Sequence, residues 1–122
     1  MNVLIVEPGK PPREAQIEHT LEAMQAVVGG LIQALYPWED HAALICDDEG
    51  LLKQYPFNRA ISGRLMIYGT FFICGIDGEE FTDLPPELMK KYKQKYQNPE
   101  VLIPGAKGPM LLVFVHDDEE EP

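Results

Sequence analysis

Serine is almost missing from this chain, and that shortage narrows the chemistry at once. Ser62 is the single one, in the turn Ser62-Gly63-Arg64, without the G-x-S-x-G elbow that presents a nucleophile. Cysteine is nearly as scarce. Cys46 and Cys74 both stand in apolar runs, where burial raises a thiol's pKa and leaves it inert. One pair at that spacing is neither a disulfide framework nor a zinc pattern, so both read as buried thiols of a reduced, cytoplasmic protein. His19, His41 and His116 form no H-x-x-x-H pair. The run Asp47-Asp48-Glu49-Gly50 lacks the alternating oxygens and distant glutamate of a calcium loop. No metal site and no cofactor is expected.

Glycine-rich phosphate loops are missing too. Pro8-Gly9-Lys10 follows an apolar run without the G-x-x-x-x-G-K-[ST] spacing, and Gly29-Gly30 comes after a predicted helix rather than before one. Positive charge is in short supply, with ten Lys and Arg against twenty Asp and Glu and a net charge of −10. Five of the acids, Asp117 to Glu121, crowd the last residues, so the remainder carries fifteen acids against ten bases. An acidic surface repels phosphate backbones, which argues against direct nucleic-acid binding. No apolar run reaches the roughly 18 residues of a membrane span, and MNVLIVEPGK lacks the basic start of a secretory signal.

What the chain does have is 122 residues at 45% hydrophobic, enough for one core. We expect a single domain over residues 1–116 and a disordered, solubilising acidic tail over 117–122. Asn2–Glu7 reads as a central strand closed by Pro8-Gly9; Arg13–Glu18 alternates like a half-buried strand, with a helix start as the rival reading that only a partner strand would decide. Thr20 caps a helix over Leu21–Val28 that stops at Gly29-Gly30. Leu31–Tyr36 and Ala42–Cys46 read as strands, with Gly50 suited to a positive φ in the turn that follows. Leu65–Cys74 is an apolar run interrupted at Gly69-Thr70, where a bulge or the close approach of another group is expected. Thr82 or Asp83 caps a second helix that takes Pro85 and Pro86 in its first turn, with Leu84, Leu88, Tyr92 and Tyr96 facing a sheet. Met110–Val115 reads as an inner strand or a partner-binding edge, so a homodimer is one expectation. The order of elements predicts an α+β fold: one two-layer domain, a mostly antiparallel sheet with two helices packed on it.

Polar chemistry set among apolar neighbours occurs at one place, Asn58-Arg59. Glu7, Tyr36, Gly69 and Thr70 are its expected surroundings. A buried arginine must pair with a carboxylate or with a ligand's anion. Glu7 is the expected partner if the pair is a brace, and a ligand takes its place if it is a binding site.

Taken in order, several segments resemble a known family: Val3–Lys10, Gly29-Gly30 followed by Tyr36-Pro37, Ala43–Gly50, Pro56–Ala60, Tyr68–Gly75 and Phe81–Leu84. The chain is similar over about residues 3–97 to the 3846 family of domains of unknown function, small proteins of phages and mobile elements. The resemblance matches the family's asparagine-arginine step to Asn58 and Arg59 and its glycine to Gly69, and supplies no catalytic residue. It implies a cytoplasmic accessory protein. The expected function is therefore a non-enzymatic binding protein of a phage or mobile element, acting on a host or element-encoded protein or on a small ligand. An acidic DNA mimic directed against restriction enzymes is the alternative. A small hydrolase or transferase stands behind both, and would need a cleft that holds Arg59.

Overall fold

The computed structural model describes residues 1–105 and 108–113. The elements are β1 (Asn2–Val6), β2 (Arg13–Gln16), α1 (Leu21–Val28), β3 (Ile32–Leu35), β4 (Ala42–Asp47), β5 (Phe57–Ala60), β6 (Met66–Tyr68), β7 (Phe71–Asp77), β8 (Glu80–Thr82), α2 (Pro86–Lys95), β9 (Glu100–Gly105) and β10 (Gly108–Val113). The main sheet runs β2-β1-β7-β4-β3, with β8 paired to the end of β7, and every pairing in it is antiparallel. Two further pairs, β5-β6 and β9-β10, stand outside it.

Successive side chains of a strand point to opposite faces, and the three central strands are apolar at nearly every position. Leu4, Val6, Leu44, Phe71 and Ile73 join one core cluster with Met89, Tyr92 and Tyr96 from α2. Val3, Ile5, Ala43, Ile45, Phe72 and Cys74 join a second with Met24 and Val28 from α1. Fully burying a side chain such as Phe71 or Ile45 stabilises by about 1.5–3 kcal/mol relative to exposure, so both faces need cover. The fold is α+β with a mostly antiparallel sheet, as expected. The two-layer arrangement is corrected: the helices pack on opposite faces of the sheet.

Thr20 accepts a hydrogen bond from the Ala23 N–H at 3.1 Å, and Gly29, with φ of 95°, closes α1 by donating to Gln25 O. The second helix starts otherwise than the sequence predicts. Its cap is Pro85, with no side-chain bond, and Asp83 Oδ1 instead accepts from Asn2 N at 2.7 Å, tying the approach to α2 to the start of β1. Among the described residues, the late apolar run forms no inner strand of the main sheet. Its described part belongs to β10, whose partner is β9. Phe114 to Pro122, including His116 and the acidic run, lie outside the described residues. Among those described, no helix is long and apolar enough to cross a membrane.

Candidate functional site

Asn58 and Arg59 are both completely buried, although neighbours in a regular strand would face opposite ways. A break in register is the cause. Phe57 lies opposite Tyr68 and Arg59 opposite Ile67, so Asn58 is the extra residue of a bulge. Its Nδ2 donates to Val6 O and to Gly69 O, each at 2.9 Å, which joins the end of β1 to the turn before β7.

Arg59 uses all five of its N–H groups inside the chain. Nε and Nη2 donate to Tyr96 O at 3.3 and 2.8 Å, and Nη2 also donates to Lys10 O at 2.8 Å. Nη1 donates to Asn58 Oδ1 at 2.9 Å and to Asn58 O at 3.3 Å. Tyr96 is the C-cap of α2, so the guanidinium sits at the negative end of that helix, where a cation is favoured. Burial lowers the Arg59 pKa, and the charge of Glu100 opposes the shift. Glu100 itself accepts from the Ala60 N–H at 2.8 Å. Carbonyl oxygens and a helix terminus therefore replace the expected carboxylate.

That corrects the expected brace partner. Glu7 forms an ion pair with Arg13 at 3.3 Å, on the surface. Tyr36 is 59% exposed, just past the end of β3. Gly69 joins the cluster through its carbonyl alone. Its φ is +88°, and a Cβ there would run into the Tyr55 ring, so the predicted close approach is made by the chain's own side chain. Thr70 lines a small hollow of about 250 Å³ with Pro8, Val28 and Tyr55. Gly50 keeps a negative φ, contrary to expectation. What its missing side chain provides is space, since a Cβ would lie 2.5 Å from Tyr68 O.

Other polar groups are likewise matched within the fold. Burial pushes the Asp47 carboxyl up, but hydrogen bonds from Lys53 (2.8 Å), the Glu49 N–H (2.8 Å) and Tyr55 outweigh it, and the net shift is downward. Asp40 accepts from Lys91 at 2.7 Å and from Tyr92 at 2.6 Å, which also lowers its pKa. Burial raises the Cys46 thiol to about 11 and the Cys74 thiol to about 12. Among the described residues, no three Asp, Glu, His or Cys side chains are placed to share a metal ion.

The open surface lies elsewhere. A groove of about 710 Å³ runs between β2 and α2, lined by Pro11, Pro12, Pro86 and Met89, with Lys90 and Lys93 among its polar residues. It continues past Glu14 toward Asn2 and Asp83. Arg59 lines neither part. The groove has no signature in the sequence: Pro11-Pro12 marks a break and Pro86 a helix start, and the strand-helix proximity that pairs Lys93 with Glu14 at 3.0 Å has no local signal.

The chain belongs to the family described as Domain of unknown function (DUF3846), whose profile matches residues 1–97. No curated protein and no solved structure matches the chain. The matched span contains the main sheet, both helices, the β5-β6 pair and every hydrogen-bond acceptor of Arg59.

Proposed function

We propose that the chain is a non-enzymatic accessory binding protein of a phage or mobile genetic element, working in the cytoplasm on a host or element-encoded protein. The groove between β2 and α2 carries this reading. Pro11 and Pro86 offer exposed apolar contact over a floor that includes Pro12 and Met89, and Lys90, Lys93, Gln94 and Gln97 offer polar contacts beside it. Concave, mainly apolar surfaces with a few polar groups are the usual form of a binding site. The buried polar cluster, by contrast, has its donors occupied by the chain itself.

The test is site-specific photo-crosslinking in host cells from Gln97, with Glu22 on α1 as the control position. The expected result is a discrete protein adduct from Gln97 that Lys90→Glu weakens at least fivefold. Equal yield from both positions, or indifference to Lys90→Glu, contradicts the reading.

A further inference from the structure

The two edges of the main sheet are finished in opposite ways. β2 carries Arg13 and Glu14 behind Pro11-Pro12, and charges and prolines are what keep an edge from pairing with another chain. β3 has no charged guard, and its nearest proline, Pro37, stands two residues beyond its end. Gly29 to Pro37 contains no charged residue, in a chain that is 25% charged. Leu31 and Tyr36, at the two ends of β3, are 67% and 59% exposed.

Backbone parity shows what this edge offers. Leu31 O accepts from Asp48 N at 2.9 Å, and β3 pairs with β4 in the register Ile32 to Asp47, Gln33 to Cys46, Leu35 to Leu44. Antiparallel pairs alternate between residues that exchange both backbone bonds and residues that exchange none. Leu31, Gln33 and Leu35 therefore spend their groups on β4, while Ile32, Ala34 and Tyr36 turn theirs outward. Among the described residues, no strand pairs with β3 on that side. Negative charge borders the row at both ends. Asp48 and Glu49 are exposed beside Leu31, and Glu39 is exposed three residues beyond Tyr36. Lys53 and Lys91 are already held by Asp47 and Asp40.

We propose that the outer edge of β3 receives an extended segment of a partner protein as an added strand, and that this segment has an uncharged centre flanked by Lys or Arg. Main-chain bonds to Ile32, Ala34 and Tyr36 hold the strand, and the bordering acids select its basic flanks. A second copy of this chain fits less well. Antiparallel pairing of two β3 edges would set the Asp48-Glu49 end of each copy against the Glu39 end of the other. The inference rests on the reading of the chain as a binding protein, but it uses a surface apart from the groove, so edge variants and groove variants fail separately.

The experiment uses the full ¹⁵N-labelled chain and a synthetic peptide, Lys-Lys-Thr-Val-Thr-Val-Thr-Lys-Lys, beside a twin with Glu in place of every Lys. The expected result is amide shifts centred on Ile32, Ala34 and Tyr36, with the Glu twin at least tenfold weaker. Ala34→Pro removes one outward N–H without taking a bond from the β3-β4 ladder, and is expected to weaken the Lys peptide at least tenfold. Tyr36→Lys changes only an exposed side chain, which guards against misfolding of the proline variant, and is expected to weaken it several-fold. The proposal is overturned by absence of shifts at millimolar peptide, by equal binding of the two peptides, or by shifts at Lys90, Lys93 and Gln97 instead. Self-association in sedimentation that Tyr36→Lys abolishes would also overturn it, in favour of a second copy as the occupant.

Discussion

Arg59 is held by oxygen atoms that carry no formal charge, and this decides what its replacement does. Arg59→Met leaves Tyr96 O and Asn58 Oδ1 buried without their donors and releases Lys10 O at the half-buried rim. Each buried acceptor left unsatisfied costs about 1–3 kcal/mol, and urea unfolding should show a loss of at least that order. Arg59→Lys should recover only part of it, since an ammonium lacks the planar fork that reaches three elements. Gly69→Ala asks an L-residue to adopt φ of +88° and pushes its Cβ into Tyr55, so a loss of at least about 1–3 kcal/mol is expected in the same assay. Asp47 contributes to the acid response. Its folded pKa lies below the ordinary 3.8, so its contribution is complete above that value and is lost as pH falls through the folded one. Asp47→Asn should therefore lower stability at pH 7 and flatten its decline below about pH 5; an acid limb that keeps the parent's slope contradicts this. The raised thiols of Cys46 and Cys74 should resist alkylation at pH 8 until the chain is unfolded.

At the scale of elements, what the sequence reveals follows from how local each signal is. α1 was legible to its ends because Thr20 and Gly29 act within one turn of the helix they bound. Thr20→Ala should cost about 1 kcal/mol, read by thermal melting. β1, β4 and β7 were legible as apolar runs; the alternation of β2 left a helix start open until its pairing with β1 decided for a strand. The split of Leu65–Cys74 into β6 and β7 at Gly69 was only half visible: the glycine marked the place, but not that the two pieces join different sheets. The start of α2 was misread because Asp83 has a competing partner 81 residues away, the Asn2 N–H. Glu7 was misread for a similar reason. Opposite charge suggested a pair with Arg59, but the guanidinium found carbonyl oxygens brought together from Lys10, Asn58 and Tyr96, and carbonyls have no signature in composition.

For the whole molecule, polar groups that looked like a site in the sequence serve to join parts of the fold. Arg59 ties the bulged β5 to the loop after β1 and to the end of α2, and Asn58 ties β1 to the turn before β7. The surfaces proposed to contact another molecule, the groove along α2 and the edge of β3, lie away from the Asn58-Arg59 cluster, and of its expected surroundings only Tyr36 borders either of them. Function on this reading belongs to the exterior, and the interior is closed. The most direct measurement is hydrogen exchange of the Arg59 Nε–H by ¹⁵N NMR on the full chain at neutral pH. The account predicts a resolved resonance that exchanges at least a hundredfold more slowly than Arg13 and Arg64, which stand at the surface. An Arg59 Nε–H that exchanges as fast as those two would show that water reaches the guanidinium, and would contradict the closed brace.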